Sequence, residues 1–284
     1  MSGAGPAGGM TDAAPPFGLR PPTAPPVPLV VSIPHTGTWL PPEVRASLAS
    51  PAMHAQPMTD WHLHLLYDFL PALGATTIFA TVSRFAVDLN RPPRPRALYP
   101  GRFETGLVPL ETFQGEQVFG APPDEAEIER RRLTWHAPYH ARLQELLDET
   151  RARFGRAVLV DAHSVASAPS RLHGALENEI YLGDRDGETC RPWLRDLLHE
   201  GFAGEGLSVV VNAPYKGGYI TDHYGRQPGV DAIQIEMVQR AYMDEADPAG
   251  GPAHPRFAVT RHRLARVLGR LAEALRPAGD ATSP

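Results

Sequence analysis

The sequence contains a single cysteine, Cys190, among its 284 residues. One cysteine excludes an internal disulfide framework, and it also excludes the cysteine-rich sites that hold zinc or iron–sulfur clusters. Any metal must therefore be bound by histidine and carboxylate side chains. The twelve histidines of the chain make such a site feasible, although their number alone does not indicate one.

Long apolar runs and basic clusters are also missing. No run approaches the roughly 20 apolar residues of a membrane span, and the N-terminus lacks the basic and apolar regions of a secretory signal. These absences predict a cytoplasmic protein without a membrane partner. The formal net charge is -5, and the arginines at 130–132 follow an acidic stretch at 124–127, so we expect no nucleic-acid partner.

The composition supports one sizeable globular domain. Hydrophobic residues make up 42% of the chain, which is enough to bury a substantial core. Residues 1–26 are rich in Gly, Ala and Pro and are expected to form a disordered leader. Since no internal repeat or linker follows, we predict one domain over 27–277 and a tail over 278–284. The sequence does not predict an oligomeric state.

Short apolar runs alternate with helical patterns along this domain. Strands are expected at 27–33, 76–82, 156–160, 179–182, 207–211 and 232–238. Helices are expected from 59 to Gly74, over 124–154 with a kink at Pro138, at 191–202 and at 257–275. This alternation predicts the α/β class, with a mixed, largely parallel sheet flanked by helices.

Several polar side chains follow predicted strands, at the edge where open α/β sheets bind ligands. They are His35 after the first strand, Asp88, Asn90 and Arg91 after the second, and Asp161 and His163 after the third. Glu236 lies inside the last strand, where a carboxylate is costly unless a partner compensates it. Singly, each residue has a structural explanation, such as a turn or an ion pair. Their gathering at one sheet edge favours a functional site.

Two histidines and a carboxylate match a catalytic zinc site, which leaves a coordination position open. Zinc acidifies water and polarises a carbonyl, and a nearby carboxylate must then move the proton. Glu236 is the candidate for this proton transfer. Arginines can stabilise an oxyanion or bind a substrate carboxylate. The pattern therefore predicts metal-dependent hydrolysis of an amide.

Short segments spread from about residue 27 to 245 resemble the N-formylglutamate amidohydrolase family. They include Ser-Ile-Pro-His-Thr-Gly at 32–37, Thr-Asp-Trp-His at 59–62, Ser-Arg-Phe-Ala-Val-Asp-Leu-Asn-Arg-Pro-Pro at 83–93, Asp-Ala-His-Ser at 161–164, Lys-Gly-Gly-Tyr-Ile-Thr at 216–221 and Gln-Ile-Glu-Met at 234–237. Each segment alone is weak, but their order makes the set specific. That family is similar to zinc carboxypeptidases and aspartoacylases, which implies their mixed-sheet fold.

The resemblance implies a zinc-dependent enzyme that cleaves N-formyl-L-glutamate to formate and L-glutamate, as in the last step of histidine degradation. Iron, cobalt or manganese would also suit a site of histidine and carboxylate. Two alternatives stay open. One is a broader N-acyl or formimino amino-acid hydrolase, and the other is a carboxylate-binding relative that kept the fold and lost the metal. In each case the partner is a small acidic amino-acid derivative.

The resemblance also implies roles for individual residues. His35 and His163 correspond to the metal-binding histidines, Arg84 to the residue that assists the oxyanion, Asn90 and Arg91 to the pair that binds the α-carboxylate, and Glu236 to the general base.

The second metal ligand departs from the related peptidases. They carry a glutamate three residues after the first histidine, whereas this chain has Thr38. Asp60 is expected to replace that glutamate, with His62 as the substitute. Lys216 and Tyr219 lie in a Gly-rich loop and are expected to bind substrate, with Lys216 at the side-chain carboxylate of a glutamyl group.

Overall fold

The computed structural model describes residues 14–98, 101 and 103–276. In these residues seven strands form one sheet in the order β1-β3-β2-β4-β7-β5-β6. The strands are β1 (Phe17–Arg20), β2 (Leu29–Ile33), β3 (Thr76–Ala80), β4 (Ala157–Val165), β5 (Ile180–Gly183), β6 (Val209–Val211) and β7 (Val230–Val238).

The sheet is mixed and largely parallel, as the sequence predicts. Strands β3, β2, β4 and β7 run parallel to one another at its centre. Strand β1 is antiparallel to β3 at one edge, β5 is antiparallel to β7, and β6 pairs in parallel with β5. The central parallel strands bring their carboxyl ends to one edge, where ligands bind in folds of this kind.

Helices cover both faces of the sheet. They are α1 (Pro42–Ala46), α2 (Pro51–His54), α3 (Leu63–Leu66), α4 (Glu125–Arg131), α5 (Ala137–Phe154), α6 (Pro192–Gly204), α7 (Tyr219–Gly225) and α8 (Pro255–Leu275). Among the residues described, no helix combines the length and the apolar character needed to cross a membrane.

Alternate residues of the central strands enter two different hydrophobic cores. Val158 and Val160 of β4 pack in a core with α3, α6 and α8. Ala157 and Leu159 of the same strand pack in a second core with α5 and α7. Because successive side chains of a strand point to opposite faces, a strand buried on both faces reads as a continuous apolar run. This explains why the central strands could be predicted from composition.

The predicted disordered leader is wrong for residues 17–20. These residues form β1, with Phe17 paired to Ala80 and Arg20 to Thr77. The ring of Phe17 also packs edge-on against Tyr139, with the ring centroids 6.4 Å apart. An aromatic contact and strand pairing thus order a segment that its proline-rich surroundings predicted to be disordered. Residues 1–13 and the predicted tail at 278–284 lie outside the described residues.

The predicted helices at 59–74 and 124–154 are both interrupted. The first reduces to α3 and a 3-10 turn at Leu70–Leu73, which ends at Gly74 with φ of 88°. The second contains a π-helical segment, Arg132–His136, between α4 and α5. The segment ends two residues before Pro138, whose ring would collide with the carbonyl four residues earlier in a regular α-helix. A wider turn is the adjustment that keeps the helix continuous.

Candidate metal centre and active site

Three buried side chains converge at the carboxyl ends of β2 and β4. The Nδ1 atoms of His35 and His163 are 3.1 Å apart. Asp60 Oδ2 lies 3.1 Å from His163 Nδ1 and 3.7 Å from His35 Nδ1. All three residues are at least 96% buried, with exposed fractions of 3%, 4% and 2% for His35, His163 and Asp60. The arrangement gathers three atoms that can donate electron pairs toward a common point.

In each imidazole ring, the Nε2 atom, which points away from the cluster, lies next to a carboxylate. His35 Nε2 lies 2.7 Å from Asp88 Oδ1, and His163 Nε2 lies 3.0 Å from Asp161 Oδ2. A carboxylate that accepts the Nε2 proton favours the tautomer in which Nδ1 of the neutral ring can offer its lone pair to a metal. Such carboxylate–histidine pairs are typical of metal sites. Asp88 and Asp161 therefore orient the two rings from behind.

The sequence predicts Asp60 at the start of a helix, but the structure places it in the loop before α3. Its N–H donates to the carbonyl of His35 at 3.1 Å, and its Oδ2 accepts from the N–H of Ser164 at 3.1 Å. Burial raises the pKa of Asp60, but the hydrogen bonds and the charge interactions with His163 and His35 together outweigh burial and hold the pKa well below its usual range. A carboxylate that stays ionised in the interior requires a nearby positive charge.

The donor set fits a divalent ion. With metal–ligand distances near 2.0–2.1 Å, tetrahedral ligand atoms are about 3.3 Å apart. The three observed separations of 3.1, 3.1 and 3.7 Å lie around this value. Among the described residues, His35, Asp60 and His163 form a group in which the possible ligand atoms all lie within 4.8 Å of one another. His35, Asp60 and His163 could therefore bind a metal ion.

The alternative second ligand, His62, has a different place in the structure. It precedes α3 with φ of 59°, in the left-handed region. Its Nε2 lies 2.7 Å from the carbonyl oxygen of Pro248, so the ring is engaged by the segment before α8. The structure brings Asp60, and not His62, to His35 and His163.

Glu236 lies beside this cluster, inside β7. In the pairing of β4 with β7, Glu236 is directly opposite His163. Its Oε2 accepts a hydrogen bond of 2.9 Å from Gln234 Nε2. Burial raises the pKa of Glu236 to about 8, while the neighbouring His163 acts against this shift. A carboxylic acid with a pKa near neutrality is suited to taking up and releasing protons.

One cavity of about 340 Å³ joins these groups, a size typical of small-molecule sites. Its lining includes three arginines, Arg84, Arg91 and Arg171, together with the metal cluster and Glu236. Arg84 donates to Asp88 Oδ2 at 2.8 Å and to the Met58 carbonyl at 3.0 Å. Its buried Nε has no hydrogen-bond partner among the residues described.

Asn90 and Arg91 both line the cavity, and each side chain is also hydrogen-bonded within the protein. Asn90 Nδ2 donates to Asp161 Oδ2 at 3.2 Å, and Asn90 Oδ1 accepts from the N–H of Ile220 at 2.8 Å. Both ends of this amide thus have partners within the protein. The Arg91 guanidinium donates to the carbonyls of Thr105 and Asn90 and also lines the cavity.

Close packing explains a glycine next to Asn90. A Cβ atom on Gly218 would lie only 2.4 Å from Asn90 Nδ2. Gly218 also donates its N–H to Gln234 Oε1 at 2.9 Å. The Gly-rich loop is therefore needed for close backbone approach to the site.

The structure does not bring Lys216 and Tyr219 to the cavity. Lys216 Nζ pairs with Asp186 at 2.7 Å, and 39% of the lysine side chain is exposed. Tyr219 begins α7 and packs against the rings of His136, His140 and His223. Neither residue is among those that line the cavity. The loop brings its backbone at Gly218 to the site and turns these two side chains elsewhere.

Asp88 and Asp161 follow or lie within predicted strands, but their sequence context does not by itself indicate the orienting role. A signal for Asp161 was present, because residues i and i+2 of a strand share one face. Asp161 and His163 are related in this way, since both lie inside β4 and not after it. Arg171, Gln234 and Tyr215 also line the cavity. Gln234 belongs to the Gln-Ile-Glu-Met segment and shares a face of β7 with Glu236, whereas no sequence pattern distinguished Arg171 and Tyr215 from surface residues.

Two further histidines hold the loop that carries Asn90 and Arg91. His136 Nε2 donates to the Arg91 carbonyl at 2.9 Å, and His140 Nε2 donates to the Leu89 carbonyl at 2.8 Å. Burial lowers the pKa of His136 to about 4 and that of His140 well below its ordinary value. Both rings are therefore neutral donors at physiological pH. The π-helical segment that ends at His136 supports this contact.

These buried histidines predict a loss of stability in acid. The folded pKa of His136 lies below the unfolded value of 6.5, so the unfolded chain takes up the proton first as the pH falls. From pH 7 to pH 5 we expect this group to lower the free energy of unfolding by about 2 kcal/mol. Urea unfolding at the two pH values should show a smaller loss in His136→Gln, and an unchanged loss in the exposed control His262→Gln. Equal losses in all three proteins would contradict the prediction.

Comparison with known proteins gives a consistent result. The sequence model of the N-formylglutamate amidohydrolase family matches residues 27–243. An N-formylglutamate deformylase of Pseudomonas putida is 41% identical over 227 residues, which cover 78% of this chain and 84% of the relative. A Pseudomonas aeruginosa protein of the same name is 42% identical over 226 residues, with the same coverage of 78% and 84%.

A solved structure also matches. It is the N-formylglutamate amidohydrolase from Ralstonia eutropha JMP134, with a TM-score of 0.79 and 29% sequence identity. The match covers 93% of this chain and 99% of that one. Family sequence pattern, relatives and architecture agree over the part of the chain that carries the cavity. The chain belongs to the N-formylglutamate amidohydrolase family.

Proposed function

We propose that the protein is a zinc-dependent amidohydrolase that converts N-formyl-L-glutamate to formate and L-glutamate. One observation carries the proposal: His35, Asp60 and His163 converge beside Glu236 in a cavity that three arginines also line. The relatives named N-formylglutamate deformylase support the choice of substrate.

The metal role rests on His35, Asp60 and His163. A bound zinc ion would acidify a water molecule and polarise the formyl carbonyl. Asp88 and Asp161 hold the two imidazole rings so that Nδ1 faces the common point. Their carboxylates also increase the basicity of the rings, which strengthens metal binding.

Glu236 moves the protons of the reaction in this proposal. It accepts a proton from the attacking water as the new C–O bond forms at the formyl carbon. It then delivers that proton to the glutamate nitrogen as the C–N bond breaks, so that formate and the free amine leave. The raised pKa of about 8 supports both steps, because a group that titrates near the working pH can accept and release a proton.

The arginines bind negative charge at two places. Arg84 has an unpartnered buried Nε in the cavity wall near Asp60 and Asp88, and we assign it to the oxyanion of the tetrahedral intermediate. We assign Arg91 to the α-carboxylate of the substrate. Asn90 contributes by holding Asp161, and thereby His163, while its backbone carbonyl anchors the Arg91 guanidinium.

Formate release tests the proposal. Protein purified without chelator is expected to release formate and glutamate in equal amounts from N-formyl-L-glutamate. Chelation should lower the rate at least about 100-fold, because the metal contributes several kcal/mol to the transition state. Added zinc should restore it. Full activity of protein shown to be free of metal would contradict the metal role, and absence of formate in every state would contradict the substrate.

A further inference from the structure

The proposed substrate carries two carboxylates, and the described part of the cavity lining offers three arginines. Arg84 is paired with Asp88 next to the metal cluster, and Arg91 is assigned to the α-carboxylate. Arg171 is the third, and it comes from the segment between β4 and β5. We propose that Arg171 binds the side-chain carboxylate of the substrate and sets the preference for a dicarboxylic N-formyl amino acid. This inference rests on the proposed function.

One aromatic ring and one backbone carbonyl hold Arg171 in place. Its guanidinium carbon lies 4.0 Å from the centroid of the Phe103 ring. Its backbone N–H donates to the carbonyl of Phe113 at 2.9 Å. Both phenylalanines line the same cavity. A guanidinium that stacks on a ring keeps its N–H edge available, and this planar edge matches a carboxylate bidentately.

The present partner of Arg171 is one that a substrate can replace. The guanidinium pairs with Glu111, and the two side chains are 46% and 37% exposed. Exposed ion pairs stabilise proteins little, because water screens both charges. A substrate carboxylate in the cavity would offer the same charge with less competition from solvent. In this proposal Glu111 pairs with the guanidinium of Arg171 when no substrate is bound, and the side-chain carboxylate of the substrate replaces it.

The competing cation, Lys216, lacks this geometry. Its ammonium group pairs with Asp186 outside the cavity lining. Tyr215, which precedes it, does line the cavity, and its hydroxyl is buried with no hydrogen-bond partner among the residues described. The loop thus presents an aromatic ring to the cavity and its lysine to the surface. Arg171 takes the role that the sequence suggests for Lys216.

A pair of substrates isolates the side-chain carboxylate. N-formyl-L-glutamine has the same α-carboxylate and nearly the same shape as N-formyl-L-glutamate, but its side chain is neutral. We expect the wild type to prefer N-formylglutamate by about 100-fold in kcat/KM, as for removal of one partner of a charge pair. Arg171→Met should lose about 100-fold on N-formylglutamate and less than about threefold on N-formylglutamine. Arg171→Lys keeps the charge without the planar fork. Its kcat/KM on N-formylglutamate should lie between the values of the wild type and of Arg171→Met.

The outcomes separate this inference from the proposed function. If the wild type hydrolyses N-formylglutamate but Arg171→Met and Arg171→Lys keep its substrate preference, the inference is overturned and the proposed function stands. A selective loss in Lys216→Met would instead identify the lysine as the receptor and also overturn the inference. An inactive wild type would refute the proposed function, and the inference with it. Thermal unfolding of each variant, with the surface control Arg153→Met, checks that the fold is intact.

Discussion

Replacing Asp60 with alanine is expected to remove the divalent metal from the purified protein and to lower kcat/KM at least about 1000-fold, or about 4 kcal/mol of transition-state stabilisation. The reason is geometric. Asp60 Oδ2 is the carboxylate oxygen that lies near both Nδ1 atoms, at 3.1 Å from His163 and 3.7 Å from His35. Without it, two imidazoles remain, and a two-ligand site binds zinc weakly. Metal content by mass spectrometry and formate release measure the two effects.

The matched control is His62→Asn. His62 has φ of 59°, and asparagine tolerates this left-handed backbone better than alanine does. Because the His62 ring is held by the Pro248 carbonyl, the variant should keep its metal and lose less than about tenfold in activity. Loss of metal from His62→Asn together with retention in Asp60→Ala would reverse the assignment of the ligand. Unfolding curves for both variants separate metal loss from misfolding.

Replacing Glu236 with glutamine is expected to lower kcat by about 1000-fold while the metal content stays unchanged. General acid–base catalysis contributes about 10²–10⁴-fold, and glutamine can neither accept the proton from water nor deliver it to the leaving nitrogen. It does keep an oxygen that can accept from Gln234 Nε2, so the local hydrogen bond survives. Single-turnover formate release, measured together with metal content, tests the prediction.

The pH dependence gives a second measure of the same group. Glu236 must be deprotonated to act as a base, so the wild-type rate should rise with pH through the pKa of Glu236. Burial raises this pKa to about 8, and a bound cation shifts it downward from there by favouring the ionised form. Glu236→Gln should lose this rise. An unaltered pH profile and kcat in the variant would refute the proton-transfer role.

A second carboxylate in the cavity supplies the control for Glu236. Glu104 lines the same cavity and accepts a hydrogen bond of 3.1 Å from the backbone N–H of Leu98. Glu104→Gln removes one carboxyl group from the cavity, as Glu236→Gln does. We expect less than about a tenfold change in kcat for this variant. Comparable losses in both variants would indicate that the charge of the cavity matters and not the position of one base.

The sheet and part of the site could be predicted from the sequence for a physical reason. Strands such as β4 and β7 are buried on both faces and therefore read as continuous apolar runs. A histidine or a carboxylate within or directly after such a run is conspicuous. His35, His163 and Glu236 stand out in this way. Parallel neighbours share one functional edge, which brings these residues together, but the strand order and register were not predicted from the sequence.

The rest depended on contacts that have no local pattern. Asp60 reaches the cluster through a loop whose backbone bonds to the His35 carbonyl, and no periodicity encodes this contact. Strand β1 is short and lies at an edge, so it lacks the apolar run of a central strand. The charge of Lys216 and its neighbouring glycines made it a candidate to bind the side-chain carboxylate of the substrate. Which way its side chain points, however, depends on the distant Asp186.

The register between β4 and β7 has a consequence for how this enzyme can diversify. His163 and Glu236 are neighbours across two strands, so backbone hydrogen bonds alone fix the distance between the two positions. In the connection between these strands, the loops at 166–179 and 212–217 lie outside β5, which itself pairs with β7, so their composition can change without altering that spacing. Arg171 and Tyr215 both lie in this connection. Under the proposed function, the substrate preference can therefore change through substitutions in the connecting segment. The positions of His163 and Glu236 stay the same.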